Sequence, residues 1–241
     1  MKEINYQTLK KANSGDQEAI DFIKSRKLPD DFDWKFYAAS NKNISNLKLD
    51  EINSICHYLN NGKRKNLEYS RKNTSKWIIP EDFDKIIELQ KITDCYFSGS
   101  FADFLHLEPD LSDLHVFKDM DIVCDHLPVN VDLKINKSHH EETQKFLDIQ
   151  PCAPSSFYSG DYKNKTLDVF INYYEKQNPE VSTEFLINGE KIKIITIKYR
   201  IKTLQSILDN QRFLVNSEEK WLAEKLRTIP EKLNKLKQIK N

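Results

Sequence analysis

Two short, strongly apolar runs of this chain carry aspartates where a folded sheet has least room for unpartnered charge. MDIVCD (120–125), entered through Lys118 and Asp119, and TLDVFIN (166–172) both read as strands from their β-branched and aromatic content. Side chains alternate along a strand, so Asp119 and Asp121 are expected on one face about 7 Å apart, with Met120 and Ile122 on the other. Two anions so placed repel one another unless a cation lies between them, and hard divalent cations with oxygen ligands suit that position. Asp168, set among Leu167, Val169, Phe170 and Ile171, is a third acid that an apolar strand does not carry without a partner. If the two strands are neighbours, three carboxylates converge. Such a group can hold metal ions that clamp a triphosphate and activate an attacking hydroxyl.

Around these runs the sequence predicts an α/β (α+β) fold, a small mixed sheet flanked by helices, with helical N-terminal and C-terminal segments. Residues 1–70 show helical spacing in Tyr6 and Leu9 and in Ala19, Ile20, Phe22 and Ile23, and a further helix over about 49–59 should stop at Asn60-Asn61-Gly62. The basic stretch GKRKNLEYSRKNTSK (62–76) reads as a solvated linker, which divides the chain into a helical accessory region, 1–70, and a catalytic domain, 77–241. Pro80, Glu81, Asp82 and Asp84 mark a helix start, with Phe83, Ile86, Ile87 and Leu89 as its buried face. Further strands are expected at DCYFSG (94–99) and VNVDL (129–133), and a polar helix near 139–147. Asn188-Gly189 between FLI and KIKIITI is a type I′ hairpin signal. Helices over about 198–209 and 217–238 should follow, with Pro230 breaking or kinking the second.

Thirty-seven basic residues balance thirty-seven acidic ones, so no net field draws the whole molecule onto nucleic acid or an anionic membrane. No stretch approaches the ~20 apolar residues that span a bilayer, and MKEINYQTLKK lacks the apolar core of a secretion signal, so a cytoplasmic location is expected. Cys56, Cys95, Cys124 and Cys152 are single and widely spaced, as reduced thiols would be. His139-His140-Glu141-Glu142 reads as a solvated helix surface rather than a metal site. Cys124 beside His126 lacks an evident oxyanion partner for nucleophilic chemistry. Phe32, Trp34, Phe36 and Tyr37 read as core more readily than as a ligand platform.

Gly99-Ser100, at the junction of a strand and a helix, supplies what a phosphate needs. The glycine lets the backbone approach closely, and Ser100 adds a hydroxyl beside N–H groups at the positive end of a helix. Gly99-Ser100, then Asp119-x-Asp121, then Asp168 in an apolar strand resembles the three-part signature of the nucleotidyltransferase superfamily. The resemblance covers roughly residues 80–225. It implies Mg²⁺ or Mn²⁺ held by Asp119, Asp121 and Asp168, the β and γ phosphates at Gly99 and Ser100, and the third acid as metal ligand or base. It also implies a nucleotide contact from a helix lysine, Lys202 or Lys198. The partners implied are a nucleoside triphosphate and an acceptor, with a small molecule or sugar favoured over nucleic acid by the balanced charge. Two departures stand out. Twenty residues separate Gly99 from Asp119, more than the family's usual dozen or so, so LHLEPDLSDLHV (105–116) would be an inserted loop. Asp103 stands where many members carry a basic residue. Residues 31–70 resemble a helical module that accompanies some glycosyltransferases and polysaccharide proteins, and the acidic motifs also resemble choline-phosphate and polyol-phosphate transferases of surface polysaccharides. That leaves such a transferase, and a non-catalytic nucleotide-binding module, as alternatives.

Overall fold

In the computed structural model, residues 4–45, 47–107, 111–129, 131–134, 156–171, 180–209 and 220–239 are described. The chain divides into two compact units, one of Met1–Thr74 with Ile78–Pro80 and Ser112–Val116, the other of Ser75–Trp77, Glu81–Leu111 and Phe117–Asn241.

The first unit is built on the short helices α1 (Tyr6–Asn13), α2 (Gln17–Lys24), α3 (Trp34–Ser40), α4 (Lys42–Ser45) and α5 (Glu51–His57), the last running into a π-turn over Tyr58–Gly62. Helices this short need their ends satisfied. Asn5, Asp16, Asp33 and Asp50 do this at four N-termini, each side chain accepting a hydrogen bond from the backbone N–H three residues on. Ile4, Ala12, Ala19, Ile23, Ile55 and Cys56 form one buried cluster, and Tyr37, Ile44 and Tyr58 a second. Phe36 and Tyr37 are fully buried and Phe32 packs on Tyr37, Tyr58 and Tyr69, so three of the four aromatics at 32–37 serve the interior.

In the strands, β1 (Trp77–Ile79) and β3 (His115–Phe117) pair as a small sheet. The main sheet takes β2 (Tyr96–Phe97), β4 (Met120–Cys124), β5 (Asp132–Lys134), β6 (Ser156–Tyr162), β7 (Lys165–Ile171), β8 (Ser182–Ile187) and β9 (Glu190–Ile195). Its order is β5-β6-β7-β4-β2-β9-β8, with β4 parallel to β7, β2 parallel to β9 and the other neighbours antiparallel. The class is therefore α/β with a mixed sheet, as the alternation of runs predicts. The helices of this unit are α6 (Phe83–Thr93), α7 (Gly99–Leu107), α8 (Ile197–Asp209) and α9 (Lys220–Ile239). Met120, Ile122, Leu167 and Val169 are wholly buried, which sends the intervening Asp121 and Asp168 to the opposite face.

Asn188 and Gly189 take φ of 51° and 80°, the left-handed pair that a type I′ hairpin requires. One strand goes beyond the sequence-based expectations, and three of those expectations need correction. Strand β6 has no counterpart in the sequence reading; Lys163 and Asn164, both at positive φ, turn it directly into β7. The segment 105–116 is not wholly loop, since α7 extends through Leu107 and β3 starts at His115. The strand expected at 129–133 begins only at Asp132. Helix α9 continues through Pro230 instead of breaking there. Pro230 itself is exposed, while buried Ile229, Leu233 and Leu236 hold the helix on either side. The proposed polar helix near 139–147, with its His-His-Glu-Glu run, and Cys152 lie outside the described residues. Cys56, Cys95 and Cys124 are buried thiols outside any disulfide. Among the described residues no helix is long and apolar enough to cross a membrane.

Candidate active site

At the end of β2 the ladder with β4 continues one residue further, Ser98 N–H donating to Asp121 O at 2.9 Å, before the chain turns sharply into α7. That turn is made at Gly99, φ +61°, which an L side chain adopts only under strain. Space excludes a side chain as well, because a Cβ at position 99 would lie 1.6 Å from Asp121 Oδ2. The Asp121 carboxylate thus rests directly on the bare backbone of the turn, and Ser100 follows in the first turn of α7.

Asp121 and Asp168 are register partners on the parallel strands β4 and β7, so their side chains leave the sheet side by side. Asp119, half-buried, immediately precedes β4. The electrostatics bear out the crowding. Burial first, then the carboxylates of Asp121 and Asp119, push the Asp168 carboxyl up to about 7, against the opposing pull of the Ser159 hydroxyl and the Lys118 ammonium. Among the described residues, no three His, Cys, Asp or Glu side chains are already closed up at metal-ligand spacing. The donor set is nonetheless suited to a hard divalent cation: all its atoms are carboxylate oxygens, and the repulsion that raises Asp168 is what a dication there would relieve.

Asp103, the departure noted in the sequence, does not face a phosphate. It is buried one helical turn beyond Gly99-Ser100, and Arg200 of α8 grips it through Nε–Oδ1 at 2.6 Å and Nη2–Oδ2 at 2.9 Å. Lys232 of α9 adds a contact to Oδ2 at 3.0 Å. Burial alone would raise this carboxyl, but the two cations override it and hold it at about 2. The helix that carries the Gly-Ser turn is thereby fastened to α8 and α9. On α8, Lys198 pairs with Glu180 at 2.9 Å, and exposed Lys202 lies over the Tyr199 ring, 6.0 Å from its centroid.

Three residues that shape this region escaped the sequence reading. Arg200 and Lys232 gave no local signal, because their partner is distant in sequence. Ser159 donates to Asp168 Oδ1 at 2.8 Å from β6, the strand that was not foreseen.

The Gly99-Ser100 turn, Asp121 on β4 and Asp168 on the adjoining β7 thus lie next to one another in the sheet, with Asp119 just before β4. No protein-family profile matches the chain, and no curated protein matches it significantly. Among solved structures the chain is similar to the lincosamide antibiotic adenylyltransferase LnuA in its lincomycin-bound form, at 12% identity over 66% of this chain and 97% of that one, TM-score 0.37. It is also similar to an antigenic nucleotidyltransferase-like protein from Paracoccidioides brasiliensis, at 17% identity over 66% of this chain and 76% of that one, TM-score 0.37. A putative nucleotidyltransferase from H. pylori shares 16% identity over 66% of this chain and 78% of its own, TM-score 0.29.

Proposed function

We propose that this chain is a divalent-metal-dependent nucleotidyltransferase that moves a nucleoside monophosphate group from a nucleoside triphosphate onto a hydroxyl or phosphate of a small-molecule or sugar acceptor. One observation carries the reading: Asp121 and Asp168 stand in register on adjacent parallel strands, with the bare backbone of Gly99 packed against the Asp121 carboxylate. Asp119, Asp121 and Asp168 are the residues that would hold Mg²⁺ or Mn²⁺. When bound, the metal supplies charge neutralisation at the reacting phosphate and acidifies the attacking hydroxyl.

The chain's own groups do the rest. Gly99 and the first-turn N–H groups of α7 receive the triphosphate tail, helped by the Ser100 hydroxyl and the positive helix end. Lys202 is the α8 cation assigned to the nucleotide. Asp168 is the carboxylate assigned to accept the acceptor proton, the part of a general base. The acceptor oxygen forms a new bond to the α phosphorus, the bond to pyrophosphate breaks, and the proton passes to Asp168.

The test is incubation of the protein with each labelled nucleoside triphosphate, Mg²⁺ or Mn²⁺ and panels of hydroxylated acceptors, with pyrophosphate release as readout. Turnover should vanish with chelator and in Asp119→Ala and Asp121→Ala proteins that remain folded. Full activity in either variant, or without metal, would overturn the assignment.

A further inference from the structure

One register line crosses four strands of the main sheet. Asp121 on β4 pairs with Asp168 on β7, Asp168 with Ser159 on β6, and Ser159 with Lys134 on β5. Asp121, Asp168 and Ser159, directly paired, share a face, so the Gly99 turn flanks the two acids on one side and β6 flanks them on the other. Ser159 Oγ donates to Asp168 Oδ1 at 2.8 Å, and among the described residues Oδ2 accepts no hydrogen bond.

From this rung, and resting on the transferase reading above, we propose that Ser159 is a positioning residue that clamps Oδ1 of Asp168 and leaves Oδ2 as the one oxygen presented to metal and acceptor. The terminal torsion of an aspartate is broad, so strand geometry alone does not set the plane of its carboxylate. Repulsion from Asp121 and Asp119 would turn that plane away from the shared spot, and a donor on the opposite flank holds it in place. The donor is itself rigidly delivered. Strands β6 and β7 pair residue for residue from Ser156–Ile171 to Tyr162–Lys165 around a two-residue turn, and Lys165 is tied to Asp82 and to the carbonyl of Lys76.

The experiment compares wild type with Ser159→Ala, Ser159→Thr, Asp168→Asn and the Ser159→Ala/Asp168→Asn double variant. Three readouts are used: Mn²⁺ affinity without nucleotide, thermal melting, and kcat and KM with the preferred triphosphate. Removing a group that orients a metal ligand costs about 10–100-fold in affinity or rate. Ser159→Ala should therefore lose Mn²⁺ affinity and kcat on that scale with KM for the triphosphate unchanged, while Ser159→Thr, which keeps the hydroxyl, recovers most of both. The melting temperatures should be non-additive, as for residues in contact. Wild-type Mn²⁺ affinity and kcat in Ser159→Ala, or a threonine variant as impaired as the alanine, would overturn the proposal. Wild type inactive with every triphosphate would instead defeat the transferase reading, and the Mn²⁺ and melting data would still decide whether Ser159 governs Asp168.

Discussion

Gly99 joins backbone conformation to active-site geometry in a single residue. Gly99→Ala would place a methyl group where Asp121 Oδ2 now lies and hold an L residue at φ +61°. The left-handed conformation alone costs about 1–2 kcal/mol. The variant should therefore unfold at lower urea concentration than wild type and, because the Asp121 carboxylate is displaced, lose turnover by roughly 10²-fold or more, the scale of a misplaced catalytic group. Asp168→Asn should behave oppositely in stability. It removes a charge that burial, Asp121 and Asp119 all oppose, so the metal-free variant should melt no lower than wild type while losing roughly 10²-fold in rate, as for a lost general base. A lowered melting temperature with activity preserved per folded molecule would instead make Asp168 a structural acid. The acids themselves were legible in the sequence, because period-two alternation sends Asp121 and Asp168 away from their buried neighbours. Ser159 was not, since a serine in a half-polar strand acquires meaning only from the residue paired opposite.

At the scale of elements, the link between the phosphate-turn helix and the C-terminal helices rests on a buried ion pair. Asp103 and Arg200 lie 97 residues apart in sequence, and neither marks the other locally. Arg200→Met would leave Asp103 buried without its fork of hydrogen bonds, and breaking such a pair by removing one partner costs about 3–5 kcal/mol. Chemical denaturation of this variant should show a loss on that scale, and a loss below about 1 kcal/mol would show the pair to be dispensable. The sign of the acid response follows from the same contact. The Asp103 carboxyl is held at about 2, below the usual 3.8, so its contribution is fully present above its unfolded pKa and is lost as pH falls through about 2. Wild type should accordingly lose stability from about pH 4 downward by an increment that Asp103→Asn lacks. Measured melting curves that fall in parallel over this range would contradict the depressed carboxyl. Hairpin β8–β9, by contrast, was legible in advance, because Asn188-Gly189 specifies its turn through backbone freedom alone.

For the whole molecule, the proposed metal makes stability depend on ligand. A cation that binds only the folded protein stabilises it by RT ln(1 + [L]/Kd), about 2.7 kcal/mol at a hundredfold excess over Kd. Millimolar Mn²⁺ should raise the melting temperature of wild type, and the shift should disappear in Asp121→Ala and Asp168→Asn; equal shifts in all three would place metal binding elsewhere. The sequence by itself determined what depends on near neighbours. Helix caps at Asn5, Asp16, Asp33 and Asp50, the amphipathic faces, the alternation of β4 and β7 and the Asn-Gly turn are each fixed within a few residues. Tertiary structure alone decided that β7 lies beside β4 in a register that sets Asp168 against Asp121, that β6 brings Ser159 to the same rung, and that Asp103 is neutralised by Arg200 and Lys232. These are pairings between distant segments, whose choice depends on the summed burial and hydrogen bonding of the assembled sheet and helices, and no local stretch of sequence contains that sum.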